Sequence, residues 1–168
     1  MDRSDSDAHL EGYIPALRRY AFALVGDHHR ADDLVQDCLL RAIASRTAPE
    51  GDRRAWLFTI LRNSHLTTER DARRRGVPMR MDEVSLPTTP ADQAARLEAR
   101  DALAVIAQLP EDQKSLLLLI GVDDLSYDEA ARVLGIPIGT VMSRLSRARR
   151  HLRDLMETGR PFALRSVK

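Results

Sequence analysis

Apolar residues recur along this chain at three- and four-residue steps, the period of helices packed on one face, with no sustained two-residue alternation of the kind a half-buried strand requires. Tyr13, Ile14, Leu17, Ala21 and Leu24 mark a first amphipathic helix, and Gly26-Asp27 breaks it. Leu34, Val35, Cys38, Leu39, Ala42 and Ile43 lay an apolar stripe along a second helix that runs to about Ser45, so a helical hairpin is expected. After the turn at Pro49-Glu50-Gly51, Trp56, Leu57, Ile60 and Leu61 carry a third helix. It runs out into the basic cluster Arg70, Arg73, Arg74 and Arg75 and ends at Gly76 and Pro78. Residues 76–92, with three prolines and little helical periodicity, read as a linker. Beyond it Ala99, Ala102, Leu103, Ile106 and Leu109 resume the helical period, Pro110 restarts the chain, and Leu116 to Ile120 form a short apolar helix. The expected architecture is all-α, with a lobe over 1–75, a linker over 76–92, a second lobe over 93–158 and a tail over 159–168.

The stretch from Leu125 to Leu155 predicts a helix-turn-helix. Ser126 and Glu129 have the spacing of a capping box, in which the hydroxyl and the carboxylate each take up an amide exposed at a helix start. Tyr127, Ala130, Ala131 and Leu134 continue a short helix. Gly135 stands where a left-handed terminal residue is wanted, and Pro137 where a second helix can begin with φ already fixed. From Thr140 onward, Val141, Leu145, Ala148 and Leu152 form a packing stripe that leaves Met142, Ser143, Ser146, Arg147 and Arg150 on other faces. Arg144, Arg147, Arg149, Arg150 and Arg153 occur with His151 before the first acid, Asp154. A solvated surface helix usually alternates its charges, and this one does not. Such a run repels itself unless phosphates neutralise it, so DNA is the first partner to consider.

The formal net charge of +1, from 26 basic and 25 acidic side chains, does not by itself announce a nucleic-acid binder. Segregation of the charges does. Acids gather at Asp27, Asp32, Asp33 and Asp37, and bases gather at Arg70 to Arg80 and Arg144 to Arg153, which suggests one surface for a protein and others for DNA. Cys38 is the only cysteine, which excludes an intramolecular disulfide and a cysteine zinc cluster, and its place on an apolar stripe reads as a small buried hydrophobe. The five histidines have no ligand or triad spacing, so neither an enzyme nor a metal site is expected. The polar start of the chain has no hydrophobic signal segment, and nowhere do eighteen apolar residues run together. No membrane insertion and a cytoplasmic location are expected.

These residues resemble the extracytoplasmic-function type of bacterial RNA polymerase sigma factor. Ala31 to Ile43, ADDLVQDCLLRAI, is similar to the family's polymerase-binding helix, and Ala55 to Asn63, AWLFTILRN, to its promoter-opening helix. The segment LPEDQKSLLLLIGVDDLSYDEAARVLGIPIGTVMSRLSRAR is similar to its promoter-reading domain. The wording of AWLFTILRN and LLLLIGVDDLSYDEAA further resembles the general-stress subgroup, the EcfG type. Carried over by position, the resemblance implies that Asp33, Gln36, Asp37, Leu40 and Arg41 contact the clamp helices of core polymerase. It places Trp56, Asn63, Arg70, Arg73, Arg74 and Arg75 near the minus-ten element. It gives base or near-base contacts at the minus-thirty-five element to Met142, Ser143, Ser146 and Arg147, with Tyr127, Thr140, Arg144 and Arg149 toward the phosphates. Trp56 at the start of an amphipathic helix also fits a core role. Met142 departs from the family's usual Lys or Arg: a thioether cannot donate to guanine, although it can touch a thymine methyl. Glu69 brings a negative charge into the minus-ten segment, another departure.

The resemblance implies a sigma factor that binds core polymerase and promoter DNA and is restrained by an anti-sigma factor, with no cofactor and no obligate homo-oligomer. A sigma-like decoy that sequesters an anti-sigma protein is the alternative. It needs the helical face but not the arginine array. A dimeric duplex-binding regulator fits less well, because such proteins usually carry one reading head per chain and this layout is asymmetric.

Overall fold

The computed structural model describes residues 10–45, 51–76 and 101–163, with side chains through 157. The linker segment 77–92, the basic Arg80 and the start of the helix expected at Ala99 lie outside the described residues. The helices are α1 (Ile14–Val25), α2 (His28–Ala44), α3 (Arg53–Arg74), α4 (Glu111–Gly121), α5 (Tyr127–Leu134) and α6 (Ile138–Ala163). A helical segment at 101–106 precedes α4. Among the described residues, no helix is long and apolar enough to cross a membrane.

The expected hairpin is formed by α1 and α2. Gly26, at φ 73, takes the left-handed turn that closes α1, and Asp27 accepts the Arg30 amide at 2.8 Å to cap α2. Asp52 caps α3 in the same way, through the Ala55 amide at 2.9 Å. Leu17, Tyr20 and Ala21 of α1, Cys38 of α2, and Leu57, Phe58 and Leu61 of α3 are fully buried together, with the Tyr20 and Phe58 rings 5.2 Å apart and tilted. Cys38 is buried as expected, its thiol directed at the Leu57 carbonyl at 3.4 Å and pushed up to about 12 chiefly by burial. It is a packing residue, not a nucleophile.

Ile43 departs from expectation. Placed by periodicity on the apolar stripe, it stands 57% exposed. It lies in the last turn of α2, a helix of 17 residues folded back on an α1 of only 12, so the packing surface has run out. At the other end of the chain, α6 continues to Ala163, through Pro161 and into the segment expected as a tail.

In the second lobe, Leu116, Ala130, Val141 and Leu145 form a small core that joins α4, α5 and α6. The lobes are not separate bodies. Leu118, Leu119, Leu125 and Val133 are buried in the same cluster as the core of the first lobe. Withdrawing a Leu or Val from water contributes about 1.5 to 3 kcal/mol, so four of them give roughly 6 to 12 kcal/mol as an upper figure.

Candidate nucleic-acid interface

The helix-turn-helix is built from local chemistry. The Ser126 side chain accepts the Glu129 amide at 3.2 Å, and the Glu129 carboxylate accepts the Ser126 amide at 2.7 Å, completing the capping box. At the far end of α5, Gly135 adopts φ 64. The amides of Gly135 and Ile136 donate to the carbonyls of Arg132 and Ala131 at 3.3 and 3.1 Å, the paired bonds of a Schellman motif. The Pro137 carbonyl then accepts the amides of Thr140 and Val141, and α6 begins.

Burial sorts the faces of α6 as the period requires. Val141, Leu145 and Ala148 are buried, while Met142, Ser143, Ser146, Arg147, Arg149 and Arg150 are exposed. Arg147 and Ser143 lie one turn apart on the open side, and Arg147 Nε donates back to the Ser143 carbonyl at 3.3 Å. Tyr127 and Thr140 are half-buried, Tyr127 against the small core. Arg144 is drawn toward α4, where it meets Asp112 at 3.5 Å. His151 is likewise occupied inside the lobe, its Nδ1 3.1 Å from the Gln113 amide oxygen. The basic row seen in the sequence is therefore split: Arg147, Arg149, Arg150 and Arg153 face outward, and Arg144 and His151 brace the helix.

A second basic surface follows α3. Asn63 and Arg70 are exposed two turns apart on one stripe, and Arg73, Arg74 and Arg75 are exposed at the helix end. Glu69 pairs with Arg73 at 3.8 Å, so the departure noted in the sequence offsets one cation of the cluster. Trp56 packs half-buried against the core of the first lobe, which favours the packing role for most of its ring.

On α2, Asp33, Gln36, Leu40 and Arg41 are exposed along one side, with Asp37 half-buried and paired to Arg41 at 2.8 Å. Leu40 is 59% exposed, and the displaced Ile43 stands one turn further, so the apolar anchor of this face is larger than the sequence indicated. At its other end the face borders a cleft of about 290 Å³ lined by Val25, Arg30, Asp33, Leu34, Asp37, His65 and Thr68.

Sequence reasoning missed the polar groups between the lobes. Asp123 is fully buried, its carboxylate 3.4 Å from Arg19 and its carbonyl accepting from Arg54. Burial pushes its carboxyl up to about 6, with Arg19 and Arg54 pulling the other way. Glu111 meets His65 at 3.5 Å and Lys114 at 3.0 Å. Burial raises its carboxyl, but the His65 and Lys114 contacts outweigh it and hold the group at about 2. A pair of aspartates in a loop carries no sequence signal for this role.

Comparison with known proteins bears on both lobes. Residues 99–152 match the family description "Sigma-70, region 4", and residues 10–62 match "Sigma2 domain of PhyR". The chain is 39% identical over 145 residues to the ECF RNA polymerase sigma factor EcfG of Rhodopseudomonas palustris, covering 85% of this chain and 80% of that one. It is 38% identical over 155 residues to the ECF sigma factor SigL of Mycobacterium tuberculosis, covering 88% and 86%. Among solved structures, the sigma factor RpoE of Bartonella quintana, crystallised with the anti-sigma factor NepR, superposes with a TM-score of 0.75 at 37% identity, over 91% of this chain and 97% of that one.

Proposed function

Since the chain belongs to the extracytoplasmic-function family of RNA polymerase sigma factors, we propose a division of labour between its surfaces. The protein binds core RNA polymerase, directs promoter-specific initiation and is restrained by an anti-sigma factor. The observation that carries the assignment of roles is the capped helix-turn-helix whose second helix turns Ser143, Ser146, Arg147 and Arg149 to solvent. In this reading, residues 93–158 and the helical extension beyond them read the minus-thirty-five element. Arg147 makes the bidentate contact to a guanine, Met142 touches a thymine methyl, and Arg149 meets a phosphate. Arg144 reaches a phosphate only by leaving Asp112.

The first lobe, residues 1–75, opens the minus-ten element without ATP. The cost of unstacking is met by backbone contacts, which Arg70, Arg73, Arg74 and Arg75 supply, with Asn63 as the polar group nearest the bases. Trp56 contributes the edge of its ring at most. Asp33, Gln36, Asp37 and Arg41, around an apolar anchor of Leu40 and Ile43, dock on the polymerase clamp, giving charge-assisted pairs about a hydrophobic centre. Residues 76–92 tether the two lobes. The protein contributes binding and specificity rather than catalysis, needs no cofactor, and acts in the cytoplasm, where polymerase and promoters are found.

The match of residues 10–62 to the Sigma2 domain of PhyR gives the decoy reading a specific footing. Run-off transcription with purified core polymerase separates the two. A sigma factor yields a promoter-dependent transcript, and a decoy yields none while still binding its anti-sigma partner.

A further inference from the structure

Two of the chain's five methionines, Met142 and Met156, fall among the described residues. Both stand in solvent on α6, at 50% and 53% exposure. Met156 lies about 21 Å further along the helix, past the N-terminal turns that meet base edges in a helix-turn-helix. Met142 lies in the second turn beside Ser143, and Ile138, itself 44% exposed, stands one turn before it on the same flank. The small core of this lobe is made by Leu116, Ala130, Val141 and Leu145, and Met142 does not pack against it. Chemistry at the Met142 sulfur therefore changes what the helix meets and leaves what holds the helix in place.

An exposed thioether is open to peroxides. The sulfur lone pair attacks one peroxide oxygen, an S–O bond forms as the O–O bond breaks, and the departing oxygen takes the proton of its former partner and leaves as water or an alcohol. The sulfur is oxidised by two electrons to a sulfoxide, and the peroxide is reduced. An apolar tip thereby becomes a strong hydrogen-bond acceptor. The adjacent Ser143 hydroxyl already donates to the Thr140 carbonyl at 3.1 Å, so it does not satisfy the new oxygen. Set against a thymine methyl, that oxygen gives up its water without gaining a partner. Set against the amino group of adenine or cytosine, it accepts a hydrogen bond.

We propose, resting on the thymine contact assigned to Met142 above, that Met142 is an oxidation site through which a peroxide alters promoter recognition. Sulfoxidation weakens binding to the minus-thirty-five element and relaxes the preference at the base pair Met142 meets. The change is reversible, because methionine sulfoxide is reduced back to the thioether by dedicated reductases. The Lys or Arg usual at this position has no sulfur to oxidise, so the response belongs to this chain's own departure.

Full-length parent, Met142→Leu and Met156→Leu test it. Each is treated with hydrogen peroxide, its sulfoxides are mapped by peptide mass spectrometry, and treated and untreated forms are assembled with core polymerase and titrated onto promoter duplexes. In one set of duplexes each thymine of the minus-thirty-five element is replaced in turn by deoxyuridine, which lacks only the methyl group. The untreated parent is expected to lose about four-fold at one deoxyuridine, the worth of one buried methyl. The treated parent carries sulfoxide at Met142, keeps its helical circular dichroism, loses at least that factor on the all-thymine element and no longer responds to the deoxyuridine. Met156→Leu follows the parent, Met142→Leu keeps after treatment whatever affinity it had before, and a methionine sulfoxide reductase restores the parent. Sulfoxide at Met156 without sulfoxide at Met142, or a treated parent that keeps its affinity, overturns the proposal. So does an equal loss in treated Met142→Leu, which places the sensitive group elsewhere. A parent indifferent to every deoxyuridine removes the thymine contact and the change of preference with it, while treated parent against treated Met142→Leu still decides whether oxidation at this position weakens binding.

Discussion

Replacing Asp123 by Asn should flatten one limb of the pH dependence of stability. In the folded chain this carboxylate is fully buried, its Oδ2 has no hydrogen-bond donor among the described residues, and burial lifts its pKa to about 6. The groups facing it are Arg19 from α1 and Arg54 from α3, which favour the charged form, and the neighbouring Asp124, which opposes it. Glu129 of α5 engages Arg54 from the other side. Because the folded pKa lies above the unfolded value of 3.8, the folded state holds the proton more tightly. The associated stability is fully present at low pH and is lost as pH rises through about 6. Holding the proton at about 6 instead of 3.8 corresponds to about 3 kcal/mol, of which about 1 kcal/mol falls between pH 5 and pH 7.5. Glu111, held at about 2, behaves oppositely: its contribution is lost only as pH falls below its ordinary value of 4.5, outside that window. Urea unfolding of parent and Asp123→Asn at pH 5, 6 and 7.5 isolates the contribution of this carboxyl group. The variant should gain on the parent by about 1 kcal/mol from pH 5 to 7.5. Parallel curves, or a gain in the opposite direction, would refute the buried-carboxylate argument.

Arg147→Ala should cost about 1 to 3 kcal/mol on the preferred minus-thirty-five element and relax the preference at one guanine. Arg149→Ala should instead weaken all sequences alike and lower the salt slope by about one unit, which titrations on single-base variants at several salt concentrations would distinguish. Asp33→Ala with Gln36→Ala should weaken binding to core polymerase, and adding Ile43→Ser should weaken it further, while duplex binding by the same full-length chains stays at the parent's level; pull-down and DNA titrations in parallel check both halves. Ser126→Ala should destabilise the helix-turn-helix by about 0.5 to 2 kcal/mol through loss of the cap, seen as a lower urea midpoint with unchanged m.

The elements legible in the sequence are those whose causes are local. The capping box at Ser126 and Glu129, the left-handed Gly135 and the packing stripe of Val141, Leu145 and Ala148 each depend on residues within a turn or two, and each forms as read. The α1–α2 hairpin, the buried Cys38 and the exposed side of α2 followed from the same helical period. Periodicity states that a face is apolar but not where its neighbour ends, so only packing could put Ile43 in solvent beside Leu40. It also could not say which core Leu118, Leu119 and Val133 would enter. The lobe seam lay beyond reach for a further reason. Arg19 and Asp123 are 104 positions apart and Arg54 and Asp123 are 69 apart, and a polar contact over such separations leaves no repeat, spacing or composition to read. Local sequence places the helices, their caps and the groups they carry; packing brought Leu118, Leu119, Leu125 and Val133 of the second lobe into the core of the first, because burial and charge pairing depend on what comes together in space and not on what is adjacent along the chain.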